Sequence, residues 1–333
     1  MIDQQKAVAS LRSQLGIGER LSGIRPLTTG FSNDTYLLEG VDLILRMPPA
    51  AGAMVDGHDV IMQARIYEEL GRVTDAPPVP AVVLACEDPD ILGAPFFVME
   101  KVAGEPIHDI DLQPWFVEGD DTLRADICRQ WITAIATLAR LPPLKVLGDP
   151  VRPEDDARAW QRFAEEAACV TLVALYDRLL TKPAPLSGPP AIVHGDTKLS
   201  NMMWHDTRIS AVLDWEMALN AEPLADLGYL LYGFQSSQHG PTTPQRQPGM
   251  FSRETVIATW EQVSGRSANG VFWHEISQIA KITAIIAEGT NMWNSGRSND
   301  PKLKLFAENL EYYLGVVETM LDSDDWQALE KRA

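Results

Sequence analysis

The stretch AIVHGDTKLSNMMW, residues 191–204, decides the fold: a polar octapeptide, HGDTKLSN at 194–201, separates two apolar segments. Asp196 is followed by Lys198 and Asn201, two and five positions later. Side chains of these types are mostly exposed in proteins and need partners when they are buried, so a hydrophobic core does not account for the pattern. The stretch is therefore either a solvated turn of a hairpin or a loop that directs polar groups toward a ligand.

A second acidic motif follows the first. An apolar segment at 209–213 leads into Asp214, the first residue of DWE. Phosphoryl transfer from ATP requires functional groups in this order: Asp-x-Lys-x-x-Asn, then a strand, then a further Asp. One carboxylate orients the attacking hydroxyl, an amide oxygen and a second carboxylate hold Mg²⁺, and a lysine offsets the charge of the transferring group. Oxygen ligands are those that a hard cation prefers.

Length and charge limit the class of protein. A chain of 333 residues predicts two domains or two large lobes. Hydrophobic residues make up 45% and charged residues 22%, which is typical of a globular protein that buries a substantial core. The 46 acidic and 28 basic residues give a net charge of −18. This charge argues against nucleic acid or an anionic membrane as a partner.

Cysteine usage and the apolar segments predict a cytoplasmic protein. The chain has 3 cysteines, widely spaced and without a CxxC pattern, which argues against a disulfide framework or a zinc site. The first 16 residues read as a polar-faced helix without the apolar region of a signal peptide. The most apolar helical stretch, 276–287, is interrupted by Lys281 and is too short to span a bilayer. The sequence leaves the oligomeric state open.

The order of the elements predicts an α+β protein. Strands are expected at 24–28, 35–38, 43–47, 79–84 and 95–102, around one helix at 57–71. The remainder is mainly helical, with helices expected at 123–141, 155–180, 253–264, 272–290 and 301–321. A segment without periodicity at 235–249 predicts a long loop. We therefore expect a small β-rich N-terminal lobe, 1–102, and a larger, mainly helical C-terminal lobe, 103–333.

Several motifs together resemble one family. They are LTTGFSNDTYLL at 27–38, LILR at 43–46, FFVMEKVAGEP at 96–106, VHGDTKLSN at 193–201, VLDWE at 212–216 and PLADLGYLL at 223–231. The chain resembles the aminoglycoside phosphotransferase and choline kinase-like enzymes over nearly its whole length. It is most similar to the phosphotransferase domains related to those attached to some acyl-CoA dehydrogenases. The resemblance implies a bilobal, protein-kinase-like fold, in which 1–102 is the nucleotide-binding lobe and 103–333 is the catalytic and substrate-binding lobe. It also implies an ATP- and Mg²⁺-dependent kinase that phosphorylates a small-molecule alcohol.

The resemblance implies roles in catalysis for matching residues. Asp196 is the expected base, and Lys198 is expected to reach the γ-phosphate. Asn201 and Asp214 are the expected Mg²⁺ ligands. Asp226 is expected to accept hydrogen bonds from backbone N–H groups of the loop that carries Asp196. His194 is expected to brace the same backbone, while Glu216 is either close to the metal or exposed.

The nucleotide site departs from the usual family pattern. The residues expected to contact phosphates or adenine are Gly30, Ser32, Asn33, Arg46, Gln63, and the backbone groups of Glu100 and Val102. Arg46 stands where a strand lysine is expected, and Gln63 stands where a helix glutamate is expected to pair with it. An arginine–glutamine contact is weaker than an arginine–carboxylate ion pair.

Two other functions remain open at this stage. One is a catalytically weak, kinase-like nucleotide-binding protein, which Arg46 and Gln63 favour. The other is a metal-dependent phosphoesterase with ligands drawn from His194, Asp196, His205, Asp214 and Glu216. The acceptor is equally open, and both a hydroxyacyl compound and an amino alcohol are candidates. Its expected contacts are the loop at 235–249 and four tryptophans, Trp160, Trp260, Trp273 and Trp293.

Overall fold

The computed structural model describes residues 4–28, 33–49, 59–108, 112–234 and 246–329. Gly30 and Ser32, expected in the nucleotide loop, lie outside the described residues, as does 235–245 of the predicted long loop. The elements below are numbered in chain order.

The N-terminal region is a five-stranded antiparallel sheet with helices on both faces. Its strand order is β1-β2-β3-β5-β4. The strands are β1 Gly23–Thr28, β2 Asp34–Glu39, β3 Leu43–Met47, β4 Val82–Cys86 and β5 Phe96–Glu100. The helices are α1 Gln4–Leu15, α2 Val60–Leu70 and α3 Pro89–Leu92. Asp59 caps the N-terminus of α2 by accepting hydrogen bonds from two backbone N–H groups of its first turn.

The period of two along β3 places its side chains on opposite faces of the sheet. Leu45 and Met47 pack into the cluster that contains α1. Ile44 packs into the cluster that contains α2, and Arg46, two positions later, shares that face. Because of this alternation, Arg46, the only charged residue of β3, lies on the face that packs against α2 and not on the face that packs against α1.

The C-terminal region is mainly helical and contains two small sheets. Its helices are α4 Pro114–Val117, α5 Asp121–Leu138, α6 Pro153–Glu166, α7 Val170–Leu179, α8 Leu224–Gly233, α9 Arg253–Ser264, α10 Val271–Asn294, α11 Pro301–Asp322 and α12 Asp324–Ala328. Its strands are β6 Glu105–Pro106, β7 Ala191–Val193, β8 Met202–His205, β9 Arg208–Val212 and β10 Leu219–Ala221. Strand β7 pairs with β10, and β8 pairs with both β6 and β9.

The longest helix, α10, is central to this region. It packs against α6, α7, α8 and α11. Most of its residues are buried, including several polar ones. Among the described residues, none of the helices combines the length and the apolar character needed to cross a membrane.

The observed elements confirm the predicted α+β class, with two corrections. The helix predicted at 155–180 is wrong: α6 ends at Glu166 and α7 begins at Val170, with Ala168 at a φ of 57° between them. The two helices pack against each other, which one continuous helix cannot do, and both bury apolar residues, so the periodicity runs across the break. The strand predicted at 79–84 is Val82–Cys86, because Pro80 lacks the N–H needed for a ladder bond. The lobe boundary at 102/103 stays a prediction.

Candidate active site

The polar octapeptide forms the turn between β7 and β8, and Gly195 determines its path. Gly195 has a φ of 80°, in the left-handed region. A Cβ there would lie 2.3 Å from the backbone oxygen of Met217, so only glycine fits. The turn continues as a 3₁₀ segment, Leu199–Asn201.

The His194 ring connects the two acidic motifs. Its Nε2 lies 2.9 Å from the carbonyl oxygen of Leu213, and its Nδ1 accepts a hydrogen bond from the Asp196 backbone N–H at 3.2 Å. This pair of partners requires the proton on Nε2, which therefore donates to Leu213. The ring also packs on Trp215, with centroids 4.6 Å apart. His194 braces the backbone, as the sequence predicts.

Asp226 supports the same loop from α8. Its carboxylate accepts hydrogen bonds from the backbone N–H groups of His194 at 2.8 Å and Gly195 at 2.9 Å. This confirms the contact predicted for Asp226. Burial raises the pKa of this carboxyl group, and His194 and the two N–H donors only partly oppose that effect.

The carboxylate of Asp196 is held by three side chains. Oδ1 accepts a hydrogen bond from the Tyr229 hydroxyl at 2.6 Å. Oδ2 lies 2.9 Å from the Lys198 ammonium and also accepts a 2.9 Å hydrogen bond from the Asn201 amide. Burial alone would raise the pKa of Asp196, but Lys198 and the hydroxyl of Tyr229 outweigh it and lower the pKa to about 2. Asp196 is therefore an ionised, oriented carboxylate at neutral pH.

Asn201 and Asp214 are adjacent because the backbone joins their segments. The Asn201 amide nitrogen donates to the carbonyl and carboxylate oxygens of Asp196, so its amide oxygen is directed elsewhere. The Leu213 N–H donates to the Asn201 carbonyl oxygen at 2.8 Å, which brings Asp214 beside Asn201. Asp214 has a φ of 65°, a conformation that non-glycine residues rarely adopt and that occurs often at functional sites.

The Asp214 carboxylate is half-buried, with 24% of its side chain exposed, and lies among other charged groups. Burial and the neighbouring carboxylate of Glu216 raise its pKa, while the Arg46 guanidinium opposes them. Glu216 itself accepts a hydrogen bond from the Asn33 side chain at 3.3 Å. That bond links the N-terminal sheet region to the segment that carries Asp214.

Arg46 contacts the second acidic motif as well as α2. Its Nη2 lies 3.2 Å from Oδ1 of Asp214 and 3.5 Å from Oε1 of Gln63. The predicted Arg46–Gln63 contact is therefore at the outer limit of a hydrogen bond, while the contact with Asp214 is the shorter one. The Arg46 side chain is 11% exposed. Its Nε and the amide nitrogen of Gln63 have no hydrogen-bond partner among the described residues.

The segment expected to contact adenine follows β5. The Glu100 N–H donates to the Ala81 carbonyl oxygen at 2.9 Å. Its carbonyl is therefore the backbone group of Glu100 that a nucleotide base could use. Val102 is half-buried in the connection beyond the strand.

The oxygen donors present fit a magnesium nucleotide. Mg²⁺ is usually held by one or two carboxylates together with phosphate oxygens and water, and Asp214 with Asn201 supplies such a set. In the part of the chain that the structure describes, no group of three or more His, Cys, Asp or Glu side chains could hold a metal ion by itself. Arg46 and Gln63 each have an N–H donor without a partner among the described residues, and such donors can bind anionic phosphates.

The sequence reasoning did not single out two tyrosines of this site. Tyr229 lies three residues after Asp226 on α8, a spacing that places both side chains on one helix face. Tyr67 lies four residues after Gln63 on α2, and its hydroxyl accepts a 3.2 Å hydrogen bond from the Asp214 N–H. Helical spacing from residues already singled out was the available signal for both tyrosines.

The four tryptophans expected near the acceptor differ in their surroundings. Trp260 and Trp273 are fully buried in the core. Trp160 and Trp293 are partly buried, and Trp160 lies beside the ammonium of Lys281.

Comparison with known proteins identifies relatives of the chain. A family model described as the phosphotransferase enzyme family matches residues 23–262, well over half of the chain. The chain is 30% identical over 221 residues to acyl-CoA dehydrogenase family member 11 of Gallus gallus, a match that covers 62% of the chain. It is 29% identical over 217 residues to family member 10 of Mus musculus. These matches span only 27% and 20% of the relatives' own lengths.

Solved structures show the same fold at low sequence identity. A protein from Ralstonia eutropha, provisionally described as an aminoglycoside phosphotransferase, superposes with a TM-score of 0.77, 19% identity, and coverage of 97% of this chain and 99% of that one. The ADP-bound aminoglycoside phosphotransferase APH(2'')-Ib gives a TM-score of 0.62 at 14% identity, with coverage of 95% and 98%. These likenesses confirm the predicted kinase-like fold.

Proposed function

Since the chain belongs to the phosphotransferase enzyme family, we propose that it transfers the γ-phosphate of ATP to a hydroxyl of a small molecule. One observation carries the proposal: Lys198 and Asn201 hold the carboxylate of Asp196, and the backbone hydrogen bond between Leu213 and Asn201 brings Asp214 next to them. Phosphoryl transfer depends on positioning and on electrostatic stabilisation rather than on covalent chemistry by the protein. This cluster supplies both the positioning and the electrostatic stabilisation.

Asp196 orients the acceptor hydroxyl and receives its proton. A carboxylate with a pKa of about 2 is a weak base at neutral pH. It therefore takes the proton late, as the bond between the acceptor oxygen and phosphorus forms and the hydroxyl becomes acidic. Lys198, in contact with Asp196, offsets negative charge on the γ-phosphate while the phosphoryl group moves.

Asn201 and Asp214 hold the metal in this proposal. Mg²⁺, when bound, neutralises charge on the β- and γ-phosphate oxygens. The amide oxygen of Asn201 is available for this role because its nitrogen holds Asp196. Asp214, which lies 3.2 Å from Arg46, would hold the cation, and the guanidinium of Arg46 would bind phosphate.

The nucleotide-binding residues follow from the same arrangement. Arg46 and Gln63 contact phosphates with their remaining donors. Gly30, Ser32 and Asn33 are the proposed phosphate contacts of the nucleotide loop, as the family resemblance implies. Backbone groups of Glu100 and Val102 receive adenine, which places the nucleotide between the proposed lobes 1–102 and 103–333.

The two alternative functions fit the site less well. A metal-dependent phosphoesterase needs free histidine nitrogens, but both ring nitrogens of His194 are engaged with backbone groups. His205 is exposed, with its ring 3.6 Å from Asp206. A catalytically weak nucleotide-binding protein is favoured by the long Arg46–Gln63 contact. It does not explain why Asp196 is kept ionised in a buried position.

The acceptor in this proposal is a small-molecule alcohol. The similar structures include a ternary complex of an aminoglycoside phosphotransferase with streptomycin and ATP, which supports a polyhydroxylated or amino-substituted acceptor. The similarity to acyl-CoA dehydrogenase family members supports a hydroxyacyl compound. A cytoplasmic location, expected from the sequence, is part of the proposal.

The test is a screen of small alcohols for ADP formation with Mg·ATP, compared with Asp196→Asn. We expect acceptor-dependent ADP formation by the wild type, and a decrease of about 10²- to 10⁴-fold in the variant with ATP binding retained. Asp126→Asn, on the exposed part of α5, is the matched control. Equal turnover by wild type and Asp196→Asn would remove Asp196 from the mechanism and contradict the proposal.

A further inference from the structure

A partly buried cluster beside the loop that carries Asp196 surrounds the buried ammonium of Lys281, the residue that interrupts the apolar run of α10. Lys281 is 4% exposed. Its Nζ donates a hydrogen bond of 2.5 Å to the carbonyl oxygen of Gly195. The same nitrogen lies 5.4 Å from the centroid of the Trp160 ring and 5.9 Å from that of the Tyr229 ring. At about 6 Å or less, an aromatic face attracts a cation.

Carboxylates complete the surroundings of this ammonium. Asp156 on α6 accepts a hydrogen bond from the Trp160 side chain and interacts electrostatically with Lys281. Burial lowers the pKa of Lys281, whereas the carboxylates of Asp156, Asp196 and Asp226 oppose that effect and favour the ammonium form. Two aromatic rings, a carbonyl oxygen and carboxylates are what proteins use to bind cationic ligands. Here the bound cation belongs to the chain itself.

The cluster adjoins the position of the reacting hydroxyl. Gly195, the acceptor of the Lys281 hydrogen bond, directly precedes Asp196. Tyr229 contacts both sides, because its ring faces Lys281 and its hydroxyl donates to Asp196 at 2.6 Å. A small cavity lined in part by Asp156, Gly195 and Lys281 adjoins the cluster, whereas Asp196, Trp160 and Tyr229 do not line it. Because Gly195 and Asp196 are adjacent, an acceptor hydroxyl bound at Asp196 would lie close to the carbonyl group that holds the Lys281 ammonium.

We propose that Lys281 fills a cation-binding cage formed by Asp156, Trp160, Tyr229 and the Gly195 carbonyl, and so closes the site to acceptors that carry an ammonium near the reacting hydroxyl. A second cation would meet a like charge in a poorly hydrated site. The acceptor is then a neutral or anionic hydroxy compound rather than an amino alcohol or amino sugar. This assignment of charge class rests on the proposed function, whereas the cage itself does not.

The experiment compares thermal unfolding of the wild type and Lys281→Ala with 3-amino-1-propanol and with 1-propanol. The first probe carries an ammonium and a hydroxyl, and the second lacks the charge. We expect 3-amino-1-propanol to raise the melting temperature of Lys281→Ala in a saturable manner, by about 2 to 4 °C. It should leave the wild type unchanged, and 1-propanol should stabilise neither protein. Lys304→Ala, which removes an exposed lysine of α11, is the matched control and should behave like the wild type.

Lys281→Arg retains a cation and should remain closed to the amine. If Lys281→Ala does not fold alone, refolding with each probe is the measurement: recovery with 3-amino-1-propanol but not with 1-propanol supports the cage. The proposal is overturned if Lys281→Ala responds in the same way to both probes. It is also overturned if 3-amino-1-propanol stabilises the wild type in a saturable manner. Because melting requires no turnover, this result is independent of whether the protein phosphorylates any alcohol.

Discussion

The guanidinium of Arg46 and the carboxylate of Asp214 form an ion pair of 3.2 Å across 168 positions of sequence. Arg46 thus pairs with the residue proposed to bind Mg²⁺, as well as contacting Gln63, which stands where the family pattern has a glutamate. The contact joins the arginine proposed to bind phosphate to the aspartate proposed to bind Mg²⁺. In the proposed function, a bound magnesium nucleotide would compete for both partners of this ion pair.

We predict that Arg46→Ala weakens ATP binding about tenfold to a hundredfold. A hydrogen bond to a charged group contributes about 1.5 to 3 kcal/mol, and its loss leaves phosphate charge uncompensated. Arg46→Lys should recover only part of the affinity, because an ammonium makes a point contact where the guanidinium can make two. Gln63→Glu should improve the Lys variant more than the wild type by restoring an ion pair. Calorimetric titration with ATP measures the dissociation constants of the wild type, Arg46→Ala, Arg46→Lys, Gln63→Glu and the Arg46→Lys/Gln63→Glu double variant.

The control for these variants is Arg25→Ala, which removes an exposed arginine paired with Glu39 on the neighbouring strand. Its ATP affinity should equal that of the wild type. Dissociation constants of wild type and Arg46→Ala that agree within about twofold would show that Arg46 does not bind phosphate.

Asp214→Ala should abolish the Mg²⁺ dependence of ATP binding. The remaining ligand, Asn201, is neutral, and Mg²⁺ relies on carboxylates together with phosphate oxygens. Titration with ATP in the presence of Mg²⁺ or of excess chelator measures the difference. Asp206→Ala, in the exposed turn after β8, is the control. If the ratio of the ATP affinities with Mg²⁺ and with chelator is the same in Asp214→Ala as in the wild type, the metal assignment is contradicted.

Tyr229→Phe should lower turnover about tenfold and raise the pKa of Asp196. The hydroxyl that it removes donates to Asp196 Oδ1 and is among the groups that hold the pKa of this carboxyl group low. Loss of a hydrogen bond to a charged group costs about 1.5 to 3 kcal/mol. The pH profile of kcat/KM is the measurement, because a higher pKa moves its acidic limb to higher pH.

Tyr36→Phe is the matched control, since Tyr36 donates a similar hydrogen bond to Asp34 in the N-terminal sheet. The acidic limb should stay in place in this variant. If it also stays in place in Tyr229→Phe, the tyrosine does not act through Asp196.

Protonation of His274 should destabilise the fold at mildly acidic pH. Burial lowers the pKa of His274 from 6.5 to about 4, against an opposing hydrogen bond to the Pro185 carbonyl. Between those values the unfolded chain binds the proton and the folded chain does not, so stability rises with pH. The stability from this group is complete above pH 6.5 and is lost as pH falls toward 4, by about 3 kcal/mol at most.

Chemical unfolding at pH 4.5 and pH 7, for wild type and His274→Gln, measures this effect. The loss of stability on acidification should be smaller in His274→Gln. Exposed His205 provides the control, and His205→Gln should show the pH dependence of the wild type. Identical pH dependence in all three proteins contradicts the assignment.

The sequence by itself determined the local chemistry of this protein. The spacing of Asp196, Lys198 and Asn201, followed by a strand and Asp214, predicted a catalytic loop and a metal motif. It did so because these side chains share one turn and one adjoining hairpin, so short-range geometry alone brings them together. Periodicities of two and 3.6 residues likewise predicted most strands and helices.

Only the tertiary structure decided which distant residues complete the site. Arg46 reaches Asp214 because β3 alternates its faces within a sheet packed on α2, and neither residue's local sequence encodes that distance. Tyr229 and Lys281 approach Asp196 and Gly195 because α8 packs on α10. In the sequence, Lys281 is only an interruption of an apolar helix. Its partners could not be predicted because they lie on separate elements. Packing determined that its ammonium lies beside the catalytic loop.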